Sequence, residues 1–84
     1  MNLEVGDKVR VKSQKWYDSC EKDFTEGIDI GCYFAVEMVE YLGEIVTISK
    51  TWKTDSDECR YEILEDSGMW EWCEEFFEQY YDET

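Results

Sequence analysis

Two residue types in this chain have the makings of chemistry: cysteine, at positions 20, 32, 59 and 73, and the carboxylates, 22 of them among 84 residues, with no histidine beside either. Four thiols are the right number for a structural zinc ion. Their spacing excludes that use. Zinc ribbons and knuckles take ligands in close pairs such as C-x2-C, so that one tight turn grips the metal. Cys20, Cys32, Cys59 and Cys73 are each separated from the next by eleven residues or more. They read instead as free thiols of the kind that packs in cores. Two disulfides would need an oxidising compartment, for which nothing in the sequence argues.

The missing histidine also removes the commonest general acid–base group and the usual partner of a cysteine nucleophile. A carboxylate pair can cleave a glycoside, but at this density of acids pairs arise by chance. The run Asp55-Ser56-Asp57-Glu58 alternates oxygen donors, yet it lacks the central glycine and distal glutamate of a calcium loop. It reads as a solvated turn. The residues therefore predict no enzyme, no metal and no cofactor.

What the carboxylates do offer is a surface. The net charge is −14, and it is polarised along the chain. Residues 1–22 carry five bases against four acids, residues 23–54 two against six, and residues 55–84 one base, Arg60, against twelve acids. A polyanion of this kind is repelled by nucleic acid and by anionic membrane, and it favours partners with basic surfaces. Duplex DNA presents about one negative charge per 1.7 Å of its axis. A barrel roughly 25 Å across, studded with acids on one face, approaches that density. The candidate partner-binding residues are Glu62, Glu65, Asp66, Glu71, Glu74, Glu75 and Glu78. Tyr61, Trp70, Tyr80 and Tyr81 interleave with them as aromatic anchors.

The elements that must position these residues follow from periodicity. Residues 3–13 predict a half-buried strand, with Val9 and Val11 alternating with Lys8, Arg10 and Lys12, entered through a Gly6-Asp7 turn. Residues 14–31 predict a long polar connection with embedded aromatics, or one containing irregular strands; loops of that length are often functional. Trp16 and Tyr17 within it form an alternative binding site. Residues 32–42 predict a short helix or helical turn, from Phe34, Met38, Tyr41 and Leu42, ended by Gly43, with Tyr33 to Val36 alternatively a strand. Residues 44–52 predict a second strand, rich in β-branched side chains, with Val46, Ile48, Lys50 and Trp52 on one face. Residues 53–58 are a polar turn.

Residues 59–64 predict a third strand with Tyr61 and Ile63 inward. Residues 65–68 predict a hairpin loop in which Gly68 takes a positive φ. Residues 69–73 then form a fourth strand, with Trp70 and Trp72 on one face and Glu71 on the other. Residues 74–77 predict a helical turn that places Phe76 or Phe77 on the core, and residues 78–84 a frayed tail. Fourteen aromatic residues compensate for the small size of the core. The expected architecture is one mainly β domain over residues 1–84: a small antiparallel barrel with a long loop after its first strand.

The sequence G-D-K-V-R-V, an aromatic-rich loop, G-E-I-V-T-I, a D-x-G hairpin and W-x-W together resemble a group of small SH3-like barrel proteins of phages and mobile elements. That resemblance covers most of the chain and implies the SH3-like fold. Fold and charge together lead to the expectation of a non-enzymatic, acidic, protein-binding domain. In its sharper form this is a phage-type nucleic-acid mimic that occupies the basic channel of a host defence nuclease, of anti-CRISPR or anti-restriction type. The alternative is an SH3-like peptide or protein interaction module without mimicry, binding through Trp16 and Tyr17. The amino end lacks the apolar segment of a signal peptide, and no run is long enough to span a membrane. These features predict a cytoplasmic monomer inside the host cell.

Overall fold

The computed structural model describes residues 3–78. In chain order its elements are β1 (Lys8–Val11), α1 (Gln14–Ser19), β2 (Ile28–Asp29), β3 (Tyr33–Phe34), a first 3-10 helix (Val36–Tyr41), β4 (Ile45–Lys53), β5 (Cys59–Ile63), β6 (Trp72–Cys73), a second 3-10 helix (Glu74–Phe76) and β7 (Phe77–Glu78). The protein is mainly β. Five strands form an antiparallel sheet in the order β6-β5-β4-β1-β7, curled into a half-barrel, and β2 and β3 form a separate small hairpin. The second 3-10 helix carries the chain from one edge strand, β6, to the other, β7.

Alternation builds the core. Val9 and Val11 of β1, Val46 and Ile48 of β4, and Tyr61 and Ile63 of β5 are all buried on the concave face. The segment between β1 and β4 covers that face with Tyr17, Phe34 and Met38. Aromatic rings join the two layers. Phe34 meets Phe76 edge-on at 5.0 Å, Trp16 at 5.4 Å and Trp72 at 6.0 Å, while Trp72 stacks on Phe77 at 5.7 Å. Each such pair contributes ~0.5–1.5 kcal/mol beyond the burial of its area. Phe76 and Phe77 are both buried, so the closing turn delivers two rings to the core.

Several expectations are corrected. The first strand is shorter than residues 3–13, because Gly6 turns the chain at φ +94° before pairing begins. The connection after β1 is not structureless: residues 14–19 form α1, whose N-cap Ser13 accepts a hydrogen bond from the Trp16 amide at 3.2 Å. The single-faced pattern over Val46, Ile48, Lys50 and Trp52 breaks at a β-bulge. Ile48 pairs with the buried Ile63, but Lys50 pairs with Glu62 and Trp52 with Arg60. One extra residue at Ser49 turns every later even-numbered side chain to the convex face. The fourth strand is only Trp72–Cys73, so residues 64–71 form one longer loop rather than a four-residue turn. Ser67 and Gly68 both take positive φ there, +57° and +76°. Glu78, expected in the loose tail, pairs with Arg10 in β7. Residues 79–84, and Tyr80 and Tyr81 among them, lie outside the described residues.

Candidate functional site

The seven predicted carboxylates occupy separate environments. On the convex side, Glu71 accepts from Arg60 Nε at 3.1 Å, and Glu58 accepts from the same guanidinium at 3.4 Å. Arg60 is only 7% exposed, so Glu71 and Glu58 neutralise a covered cation. Glu62 lies over the 64–71 loop, its carboxylate against Gly68. Glu74 and Glu75 open the second 3-10 helix, and Glu78 sits at the β7 edge.

Glu65 and Asp66 go elsewhere. Glu65 reaches back to β4, where its carboxylate accepts from the Thr47 amide at 2.9 Å and the Thr47 hydroxyl at 3.1 Å. Asp66 is 8% exposed. One oxygen accepts from the Gly68 amide and the other from the indole nitrogen of Trp72, both at 2.9 Å. A buried indole N–H needs an acceptor, so Asp66 serves the fold and is withdrawn from the exposed charge array.

These two residues also line a surface cleft of about 420 Å³ between the first 3-10 helix and the 64–71 loop. Glu37, Glu40 and Tyr41 form its helical wall, and Met69 and Trp70 stand opposite with Glu65 and Asp66. A 3-10 helix has three residues per turn, so Glu37 and Glu40 project one above the other from the same side. The Tyr41 hydroxyl donates to the Glu65 carbonyl oxygen at 3.3 Å and ties the two walls together. Its phenol is held above its ordinary pKa, first by burial and then by the charges of Glu40, Asp66 and Glu65. Met69 is 72% exposed and presents a polarisable thioether at the rim.

Carboxylates, a phenol and an indole thus line one cleft. Compared with known protein families, curated proteins and solved structures, the chain matches none.

Glu65, Asp66 and Trp70 are brought together in the cleft as sequence neighbours. Glu37, Glu40 and Tyr41 were missed. Their signal, V-E-M-V-E-Y with acids three apart, marks an acidic side of a turn but not what that side faces.

The aromatic alternative is reshaped. Tyr17 is buried, its hydroxyl donating to the Glu26 carbonyl and its ring lying under the Lys22 ammonium at 4.7 Å. Trp16 is half-buried against Phe34 and Phe76. Both act as helix-to-core contacts, and Tyr61, named above as an anchor, is fully buried. Among the described residues no group of three or more cysteines and carboxylates converges to hold a metal ion, and no helix is long and apolar enough to cross a membrane.

Proposed function

We propose that this protein is a non-enzymatic binding domain for a partner protein with a basic surface, and that the cleft between the first 3-10 helix and the 64–71 loop receives an arginine or lysine side chain of that partner. The observation that carries the reading is the juxtaposition of Glu37, Glu40 and Glu65 with Tyr41 and Trp70 around one cavity. A desolvated anchor in a pocket, ringed by charges of opposite sign, is how a small interface concentrates its affinity. The curled sheet, the long connection between β1 and β4 and the closing 3-10 turn support an SH3-like barrel as its scaffold.

In its sharper form the acidic surface stands in for nucleic acid and fills the basic channel of a defence nuclease, as a phage-type inhibitor would. The net charge of −14 supports this form. The burial of Asp66 and the pairing of Glu71 with Arg60 take two of these acids out of the free array, while Glu37, Glu40, Glu65, Asp55 and Glu75 are exposed.

The test uses an arginine-rich peptide as probe, titrated into the protein while tryptophan fluorescence and amide chemical shifts are followed. Binding is expected to move Trp70 and the amides of residues 36–41 and to weaken steeply as salt rises. The double substitution E37K/E40K is expected to abolish it, while E74K/E75K, outside the cleft, leaves the cleft shifts in place. Affinity that is equal at low and high salt, or unchanged in E37K/E40K, would overturn the reading. The mimic form adds one requirement: duplex DNA must displace the protein from a basic nuclease that it binds.

A further inference from the structure

The connection between β1 and β4 exposes one aromatic side chain that neither the core nor the cleft uses. Phe24 is 98% exposed, against 8% for Tyr17 and 42% for Tyr33 on the same segment. It stands on a turn, residues 23–26, that its neighbours hold in place. The Glu26 amide closes the turn by donating to the Asp23 carbonyl oxygen at 3.0 Å, and the Asp23 amide donates to the Gly27 carbonyl oxygen at 2.9 Å. One oxygen of the Asp23 carboxylate accepts from the Thr25 amide at 2.9 Å, the Thr25 hydroxyl at 2.6 Å and the Gly27 amide at 3.1 Å; the other accepts from the Tyr33 hydroxyl at 2.9 Å. The Tyr17 hydroxyl donates to the Glu26 carbonyl oxygen, and Glu26 itself sits in the left-handed region at φ +67°. The turn is thereby tied to α1 through Tyr17 and to β3 through Tyr33, and the ring it carries is left in water.

We propose that Phe24, with the exposed edge of Tyr33 beside it, is a second docking surface of this protein, and that its occupant is an apolar pocket with a basic rim on a partner protein. The proposal rests on the reading of the chain as a binder of basic protein surfaces, but not on the cleft. A ring held out on a fixed turn loses little freedom when a pocket takes it up, so the burial of its roughly 150–250 Å² goes to affinity rather than to ordering the loop. Aromatic side chains of this kind are enriched at the centres of protein interfaces.

Charge selects the occupant. Residues 21–29 carry four exposed carboxylates, Glu21, Asp23, Glu26 and Asp29, against one base, Lys22. The Lys22 ammonium is turned back toward α1, donating to the Cys20 carbonyl oxygen at 2.9 Å and lying over the Tyr17 ring. The surroundings of Phe24 are therefore negative, and a pocket that receives it meets them best with a positive rim. A second copy of the chain is the wrong partner: its cleft is walled by Glu37, Glu40 and Glu65, of the same sign as residues 21–29, and each copy carries −14. An anionic membrane is repelled for the same reason.

The experiment uses the full chain carrying E37K/E40K, so that the cleft takes no part, and titrates into it two helical peptides of equal lysine content. One has leucines at i, i+3, i+4 and i+7, which leave a hole between them for a ring, and the other has alanines there. The leucine peptide is expected to bind more tightly, to shift the ring resonances of Phe24 and Tyr33, and to lose about thirty-fold in affinity when F24A is added. The alanine peptide is expected to bind with and without F24A alike. Because the ring is exposed, F24A is expected to leave the urea midpoint unchanged, so lost binding is not lost fold. Equal affinity for the two peptides, or for the leucine peptide with and without F24A, would overturn the proposal. So would Phe24-dependent binding to phosphatidylcholine vesicles in place of the peptide, or a dimer that F24A dissolves. Failure of the cleft reading leaves these outcomes readable, since the cleft acids are absent from both arms.

Discussion

Replacing Asp66 with alanine separates a carboxylate that holds the fold from one that merely solvates it. Asp66 is the acceptor for the indole N–H of Trp72, a side chain with no exposed surface and rings on several sides: Phe34 at 6.0 Å, Tyr41 at 5.9 Å and Phe77 at 5.7 Å. Removing the carboxylate takes away the charged acceptor of that indole N–H. A hydrogen bond to a charged group contributes about 1.5–3 kcal/mol, and a buried donor left without a partner costs about 1–3 kcal/mol. These are two views of one loss and are not summed. The Gly68 amide loses the same carboxylate, but Gly68 is half-exposed and water can replace it. The expected destabilisation of D66A is about 3 kcal/mol, a large share of the roughly 4–13 kcal/mol that holds a chain of this length together.

Urea denaturation followed by tryptophan fluorescence at neutral pH reads this directly. With a slope near 1–1.5 kcal/mol per molar urea, the midpoint falls by about 2–3 M at unchanged slope. D66N keeps an oxygen in front of the indole and loses only the charge, so about 1 kcal/mol is expected. A D66A midpoint within about 0.5 kcal/mol of the wild type, the range of ordinary surface substitutions, would refute the reasoning.

Two further tests address the β2–β3 hairpin. A methyl group at Gly27 would overlap the Tyr33 hydroxyl and ring, which Asp23 and Thr25 hold at 2.9 and 2.6 Å. G27A is therefore expected to cost about 1–3 kcal/mol in urea denaturation, and Y33A in the same background should recover part of it; a loss as large in G27A/Y33A as in G27A alone would show that the overlap is not the cause. Asp23 is held down to about 2 from 3.8, first by the Thr25 hydroxyl and then, against burial, by the Thr25 amide, Tyr33 and the Gly27 amide. A carboxylate lowered in the folded state contributes stability that is complete above its unfolded value and is lost as pH falls through the folded one. The stability difference between wild type and D23N is thus expected to shrink between pH 4 and pH 2, and a difference that stays constant across that window would contradict the assignment.

Local patterns in the sequence reached the strands because each is written in neighbouring residues. Tyr61 and Ile63 are inward with Glu62 between them, Val9 and Val11 are inward beside Lys8 and Arg10, and Gly68 takes its positive φ. Parity failed at Ser49 because a bulge inserts one residue without changing composition: Val46, Ile48, Lys50 and Trp52 read the same with or without it. Helix α1 was missed since six residues are too few for a period to appear, and its one clear signal is the capping serine at position 13.

Asp66 shows a different limit. Counted as charge, it belongs with Glu65 and Glu71; counted as a hydrogen-bond acceptor, it belongs with whichever buried donor lies in reach. D-S-G marks the turn that aims it, and W-E-W supplies the donor, but the choice of Trp72 over Trp70 depends on which ring enters the core. That in turn depends on a loop of eight residues rather than four between β5 and β6. The same loop length carries Trp70 out of the sheet and into the cleft, opposite Glu37 and Glu40. One turn therefore decides three things together: which tryptophan is fully buried, which carboxylate serves it, and which tryptophan lines the cleft.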